Sequence, residues 1–364
     1  MKTLLTAITL AAAAATGSAV AAPTFNFSFI SGTSIQARQG FIDAAARWSS
    51  LLDDNVTINL TVDFNPLDPG ILGQARSAQQ LYSYSAFRSA LAADITSGYD
   101  TTAVASLAPG SSFGMLLNRT ANSPNGYGSP LPYVDNDGDA NNANIRIATA
   151  EAKALGLAPA AQSLPDCIGQ CDGFIQFSSH YTFDFNPHDG INADAFDFVG
   201  VAAHEIGHTL GFISGADVLD FNSDAPDFFN DDEFTYVSGL DMFRYSDASR
   251  AAGVIDWTAD EREKTFSPDG GATPGAPLST GMLHGDGRQA SHWKDDLFIG
   301  LMDPTAGMGE LLHISRNDLL AMDVIGWNVP AIPEPSSAAM LGAGMLLLGR
   351  RAIGRRTIFR KGTK

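Results

Sequence analysis

Apolar and polar positions follow two clear periods along this chain. Residues 35–52 repeat apolar side chains at helical spacing, which predicts a helix. Residues 56–64 then alternate strictly between apolar and polar, which predicts a half-buried strand. Residues 173–185 alternate in the same way and predict one strand or a hairpin. The second strong helical pattern covers residues 194–210. Its apolar stripe consists of Val199, Ala203, Ile206 and Leu210.

The remaining patterns are weaker. Residues 82–95 predict a second, weakly patterned helix, and residues 148–155 predict a short one. A last helix is expected near the end of the body, with Ser315 as its N-cap. Residues 215–287 are long, acidic and irregular, and predict a large insertion. Together the patterns indicate a mixed α/β chain with long loops.

The helix at residues 194–210 carries the letters HEIGH, from His204 to His208. On a helix, side chains four residues apart lie on one face, so His204 and His208 can both direct a ring nitrogen at one ion. Zinc accepts such nitrogens, and Glu205 would then border its open coordination position. A bound zinc ion lowers the pKa of water, and Glu205 is suited to take and pass on the proton. This pattern predicts a zinc hydrolase site.

Zinc needs a third protein ligand. Six residues after His208 stands Ser214, whose hydroxyl is a poor zinc ligand. Asp217 and Asp220 are better by chemistry and lie just beyond the glycine turn at Gly211. Other histidines are His180, His188, His284, His292 and His313. From the residues alone these alternatives stay open.

A resemblance selects among them. HEIGHTLGF resembles the active helix of leishmanolysin-type metzincins, in which the third histidine follows a long insertion and precedes a Met-turn. Here His292 is followed by Trp293, and Met302 comes in the segment Leu301–Met302–Asp303–Pro304. The resemblance implies that His204, His208 and His292 are zinc ligands, that Glu205 is the general base and that Met302 lies beneath the metal. Asp217, and after it His284, is the alternative third ligand.

The insertion is longer than expected of leishmanolysin itself, with 83 residues between His208 and His292. No propeptide of useful length and no cysteine placed to act as a latency switch is seen in the sequence. The segments LDMFRYS at 240–246 and GDGRQASHWKDD at 285–296 are similar to those of a group of PEP-CTERM-tailed bacterial metallopeptidases.

Both ends of the chain differ from the body. Residues 1–21 combine a lysine, an apolar stretch and small residues before the end, which is typical of a secretory signal peptide. Residues 331–364 contain Pro-Glu-Pro, an apolar run and arginines, and resemble the PEP-CTERM sorting tail of some Gram-negative bacteria. That resemblance implies recognition by an exosortase-type enzyme, with the apolar run as a transient inner-membrane anchor. The alternative is an ordinary C-terminal anchor.

Charge supports an exported body. Without Lys2 and the tail, the chain keeps 14 basic against 39 acidic residues, a net charge of about −25. So acidic a body argues against nucleic acid as a partner. An exported chain also favours a disulfide between Cys167 and Cys171 over half of a metal site.

Two acidic segments raise the question of calcium. Asp135, Asp137 and Asp139 alternate as oxygen ligands do in calcium loops, but the loop glycine is misplaced and no closing glutamate follows. The alternative is a solvated acidic turn. A second acidic set is expected to be a solvated loop, and it comprises Asp220, Asp224, Asp227, Asp231, Asp232 and Glu233.

The expected fold is therefore an α+β, metzincin-like peptidase with a small mixed twisted sheet, an active-site helix and a C-terminal part with a Met-turn. The peptidase domain would span 22–330, divided into 22–213 and 214–330. The expected activity is zinc-dependent hydrolysis of peptide bonds in protein substrates at the cell surface or outside the cell. A zinc hydrolase of non-peptide bonds and a non-catalytic adhesion protein on the same fold remain alternatives.

Overall fold

A computed structural model describes residues 22–330 of the chain. The predicted signal peptide and sorting tail lie outside the described residues. Within them, no helix is long and apolar enough to cross a bilayer. The described residues up to Val329 belong to one compact unit.

Nine α-helices and fourteen short strands occur between residues 22 and 330. The helices are α1 Ile35–Ser49, α2 Tyr84–Ala93, α3 Gly98–Ser106, α4 Ala140–Ala143, α5 Thr149–Ala154, α6 Phe198–Leu210, α7 Ala216–Asn222, α8 Asp247–Ala252 and α9 Arg316–Ile325. The strands are β1 Thr24–Phe29, β2 Thr57–Asn65, β3 Gly73–Ser77, β4 Gln79–Ser83, β5 Met115–Leu117, β6 Tyr133–Asp135, β7 Asn144–Ala148, β8 Gly173–Ser178, β9 Phe183–Asp184, β10 Phe196–Asp197, β11 Arg244–Tyr245, β12 Ile255–Asp256, β13 Lys264–Phe266 and β14 Pro277–Leu278. Short 3-10 turns cover Pro187–Asp189, Asp231–Glu233 and Leu240–Phe243. The mixed α/β class is thus confirmed.

The largest sheet has the order β1-β2-β8-β3. Its first three strands are parallel, and β3 pairs antiparallel to β8, from Gly73 opposite Phe177 to Ser77 opposite Gly173. Because β3 has a partner on one side only, it is the edge of the sheet. Four smaller sheets of two or three strands are also present in the described residues.

Helices α1 and α6 pack together against this sheet. The rings of Phe41 on α1 and Phe198 on α6 lie edge to face at 5.2 Å, and Phe177 of β8 joins them at 4.7–5.1 Å. Trp48 of α1 is fully buried and donates its indole N–H to the carbonyl of Ala203 at 2.8 Å. The hydrogen bond ties α6 to the core at the turn that carries the two histidines.

Side chains and a glycine define the ends of α6 and α9. Asp197 caps α6 by accepting the N–H of Gly200 at 2.8 Å, and Gly211 ends that helix at φ +122°. Ser315 caps α9 as expected. Residues 173–185 form neither a single strand nor a hairpin, because β8 pairs with β2 and β3 whereas the short β9 pairs with β10.

Two expectations are corrected. The second helix begins at Tyr84 because residues 79–83 pair with β7 as strand β4, so tertiary pairing overrides the weak helical pattern. The acidic residues that were expected to lie in a solvated loop are not all exposed. Asp220 is fully buried and Asp231 is 7% exposed, since both accept hydrogen bonds from the chain around them.

Candidate metal centre

The three predicted histidines meet at one point. His204 and His208 come from successive turns of α6, and His292 comes from the loop after β14. The Nε2 atom of His208 lies 3.0 Å from that of His204 and 3.2 Å from that of His292, and the third Nε2–Nε2 distance is 3.3 Å. In the part of the chain that the structure describes, they are the sole group of three His, Cys, Asp or Glu side chains close enough to share an ion.

The outer nitrogen of each ring fixes its tautomer. Nδ1 contacts the carbonyl of Leu301 at 2.8 Å in His204, that of Phe212 at 2.7 Å in His208, and that of Gln289 at 3.3 Å in His292. A carbonyl oxygen only accepts, so each Nδ1 carries the hydrogen and each Nε2 presents a lone pair. Three lone pairs facing one another repel unless a cation lies between them.

The spacing of these lone pairs fits a tetrahedral metal. With metal–nitrogen bonds of about 2.0–2.1 Å, two ligands of a tetrahedron lie about 3.3 Å apart. The observed 3.0–3.3 Å agrees with that value. Three imidazoles with oriented outer nitrogens are a donor set that zinc accepts, and they leave a fourth position open.

The electrostatic setting keeps the rings neutral. Burial lowers the pKa of all three, and the neighbouring imidazoles lower those of His208 and His292 further. For His208 the pKa falls to about 3. The neutral, metal-binding form of each ring is therefore favoured near neutral pH.

Glu205 faces the same cleft between the two helical histidines. Its side chain is 5% exposed, and burial raises its pKa to about 8. Gly73, the first residue of the edge strand β3, lies directly over it, since a Cβ on Gly73 would be 3.0 Å from Oε1. A dication at the histidines would favour the ionised carboxylate and offset the burial.

Met302 is fully buried and lies against α6 at Gly207. A Cβ on Gly207 would be 2.6 Å from its Sδ, so the absence of a side chain at Gly207 lets the methionine reach the helix backbone. The Met302 carbonyl accepts the N–H of Trp293 at 2.9 Å, which joins this turn to the residue after the third histidine.

Asp318 is a site residue that the sequence reasoning missed. It is fully buried on α9, where one oxygen accepts the indole N–H of Trp293 at 2.8 Å. It also accepts the N–H groups of Leu301 and Met302 at 2.7 and 3.2 Å. The pattern that marks it is the capping box of α9, in which Asp318 follows Ser315 by three residues.

The alternative third ligand, Asp217, does not join the histidines. Its two oxygens instead accept N–H groups of Ala290 and Ser291 at 2.6 and 3.1 Å, together with the Ser291 hydroxyl. Ser214 is buried as well, and its hydroxyl donates to Asp241 at 2.5 Å. His284 contacts the Ser223 carbonyl at 3.2 Å rather than the cluster. None of these side chains faces the converging lone pairs.

The other predicted site residues lie elsewhere. Cys167 and Cys171 form a disulfide, with Cα atoms 6.2 Å apart. Asp135 is buried and accepts from Asn141 at 2.8 Å, whereas Asp137 is exposed and Asp139 caps α4. The structure does not gather Asp135, Asp137 and Asp139 into one group of ligand atoms. Calcium at this turn stays a prediction.

The histidines open onto a long cleft. It is lined by strand β3, from Gly73 to Ser77, and by Arg288, Gln289 and Ser291 from the loop that carries the third histidine. Two contacts define the direction of β3 relative to α6. Gly73, at the start of the strand, lies at Glu205, and the hydroxyl of Ser77, at its end, donates to the His208 carbonyl at 2.8 Å. Strand β3 therefore runs in the same direction as α6.

Comparison with protein-family models, curated proteins and solved structures finds no match for this chain.

Proposed function

We propose that this protein is a zinc-dependent endopeptidase with a metzincin-like arrangement of its metal site. The observation that carries the proposal is the convergence of three neutral imidazole lone pairs at 3.0–3.3 Å beside the buried carboxyl of Glu205. Three nitrogen ligands with an open fourth position are typical of catalytic rather than structural zinc. The buried Met302 against the helix at Gly207 and the long segment between His208 and His292 support the metzincin-like comparison.

A bound zinc ion would supply Lewis-acid activation of water and of the scissile carbonyl. Glu205 then takes a proton from the attacking water at a carboxylate oxygen and delivers it to the departing amine. Its burial suits this shuttle, because a raised pKa brings the carboxyl closer to the range in which it both accepts and donates. Gly73 has no side chain, so Glu205 and Phe177 can pack directly against the edge strand.

Strand β3 supports peptide rather than small-molecule substrates. Its outer edge has no partner strand among the described residues, and it borders the cleft along its length. An extended peptide can pair with such an edge through main-chain hydrogen bonds, independently of its side chains.

We extend the proposal to location from the sequence alone. The signal-like start, the PEP-CTERM-like end and the acidic body support export and surface sorting in a Gram-negative bacterium, with an exosortase-type enzyme acting on the tail.

Purified protein loaded with zinc and incubated with unfolded casein tests the function. We expect cleavage that a chelator abolishes and zinc restores. Glu205→Gln should keep about one zinc per chain and lose turnover by about 10²–10⁴-fold. The matched control is Glu151→Gln, because Glu151 is also a fully buried carboxyl with a raised pKa but lies outside the cleft.

The alternatives predict other outcomes. A zinc hydrolase of non-peptide bonds would bind zinc and leave casein intact while cleaving an ester substrate in a Glu205-dependent way. An adhesion protein would bind zinc without turning over either substrate. Full cleavage by Glu205→Gln would refute its assignment as the base.

A further inference from the structure

The third histidine is held differently from the other two. His204 and His208 lie on one rigid helix, and their Nδ1 atoms have carbonyl partners at 2.8 and 2.7 Å. His292 lies in a loop, and the corresponding contact of its ring is 3.3 Å long. Its ring is therefore weakly oriented by its own hydrogen bond, and its position must be set by the backbone that carries it.

Asp217 holds that backbone on the side preceding the histidine. It is 9% exposed and lies on α7, and its carboxylate receives the two consecutive N–H groups of Ala290 and Ser291. It also accepts the Ser291 hydroxyl, and the Ser291 oxygen in turn accepts the N–H of Ser214 at 2.9 Å. Three donors from two adjacent residues fix the loop immediately before His292.

Arg244 holds the same loop through its carbonyl groups. Its side chain is 1% exposed and donates to the Ala290 carbonyl at 3.4 Å and to the Ser279 carbonyl at 2.8 Å. The Ser279 N–H donates to the carbonyl of His292 at 3.0 Å. Ala290 thus donates its N–H to Asp217 and accepts from Arg244 at its carbonyl. Two buried side chains of opposite charge therefore bind the same residue of the loop.

We propose that Asp217, supported by Arg244, is the positioning residue for the third metal ligand. The carboxylate does not touch the metal position. It sets the place of His292 through the backbone, so the affinity of the site for zinc depends on a side chain that is not a ligand. This inference rests on the proposed metal site and is independent of the reaction that the site performs.

The same helix supplies a matched control. Asp220 lies one turn after Asp217 and is fully buried. It accepts the N–H groups of Leu283 and His284 at 2.8 and 2.9 Å, in the same loop as the third histidine but eight residues or more before His292. Replacing either aspartate removes a buried acceptor of two backbone groups, yet only Asp217 adjoins the ligand.

The experiment measures zinc dissociation constants of the full chain by competition with a chromogenic chelator. We expect Asp217→Ala to weaken zinc binding by about 10–100-fold. Asp217→Asn keeps one acceptor oxygen and should recover part of that loss, while Asp220→Ala should bind zinc as the wild type does. Thermal melts of all variants report their folding separately.

Cobalt substitution gives a second measurement that a merely structural role would not change. Tetrahedral cobalt absorbs visible light far more strongly than cobalt with added water ligands, so loss of a well-placed His292 should weaken the bands in Asp217→Ala but not in Asp220→Ala. Equal losses of affinity in both alanine variants, without a spectral difference, would overturn the positioning role. So would full affinity in His292→Ala with none in Asp217→Ala, which would make Asp217 the ligand.

These results separate this inference from the proposed function. Wild-type protein that binds zinc tightly but cleaves no peptide would refute the peptidase and leave the role of Asp217 standing. Wild-type protein that binds no zinc would overturn both.

Discussion

Gly207 is the position at which the packing beneath the metal site can be tested most directly. It lies on α6 between the two histidines, and an added Cβ would be 2.6 Å from the sulfur of Met302 and 3.3 Å from the ring of Trp48. Both of those side chains are fully buried, so neither can swing into solvent to make room. The perturbation is Gly207→Ala, a single added methyl group.

Two opposing effects set its magnitude. Alanine is a better helix former than glycine by about 0.5–1 kcal/mol. Inserting a methyl group into a packed core costs about 1–3 kcal/mol. Since the contact is well short of van der Waals distance, the sulfur must move, and we expect the steric cost to exceed the helical gain. The net expectation is a loss of about 1 kcal/mol in the free energy of unfolding.

The control is Gly98→Ala at the start of α3. A Cβ there meets nothing within 4 Å, and its φ is not left-handed. That variant should gain about 0.4–1 kcal/mol, chiefly because alanine restricts the unfolded chain. Urea unfolding of both variants, without metal, gives the comparison. We expect the two substitutions to change stability in opposite directions.

A double-mutant cycle isolates the contact. In a Met302→Ala background the sulfur is gone, so Gly207→Ala should become neutral or stabilising. Stabilisation by Gly207→Ala in the wild-type background, equal to that of Gly98→Ala, would refute the placement of Met302 beneath the helix.

Three further outcomes can be measured. Asp318→Asn removes one acceptor for the N–H groups of the Trp293 and Met302 segments, and should cost about 1–3 kcal/mol in urea unfolding; an unchanged midpoint would contradict this role. Burial raises the pKa of Asp323 from 3.8 to about 6, so the carboxyl loses its proton at lower pH in the unfolded chain than in the folded one. The free energy of unfolding that this group contributes therefore falls as pH rises from about 4 to 6. Asp323→Asn should flatten that dependence on pH. Reducing the Cys167–Cys171 bond, which spans a sequence separation of 4, should lower the free energy of unfolding by about 2 kcal/mol or less; a larger drop would indicate a wider structural role.

The periodic parts of the fold could be predicted from the sequence. The helix with Phe41 and Trp48 follows from spacing, because one face of it is buried against the core. Apolar spacing also marks the strand at residues 57–65 and the helix of the two histidines, although β2 buries Thr61 and Asp63 on its other face and α6 is buried on nearly all sides. The edge strand β3 could not be predicted. Its burial alternates only between half-buried and exposed, since its outer side faces the cleft, so no apolar period marks it.

The site divides in the same way. His204, Glu205 and His208 are fixed by local helical geometry. Placing His292 beside them depended on resemblance, since 83 intervening residues leave its position to tertiary packing. The sequence does not mark Gly207 and Asp318, because their roles exist only in contacts with distant segments: Gly207 packs against Met302, and Asp318 accepts the indole N–H of Trp293.

The acidic segment after α6 shows why the sequence does not reveal which acidic residues are buried. An irregular chain has many backbone N–H groups without helical or sheet partners, and burying them unpaired is costly. Here carboxylates receive them. Asp241 is fully buried and accepts the N–H groups of Gly215 and Ser238 at 2.8 and 2.9 Å, and the indole of Trp257 at 3.0 Å. Asp217 and Asp220 do the same for the loop that precedes the third histidine. A buried hydrogen-bond acceptor and an exposed acid are the same residue type in the sequence. Some of the aspartates in this acidic segment are buried, and Asp217 among them holds the backbone of the loop that carries the third histidine.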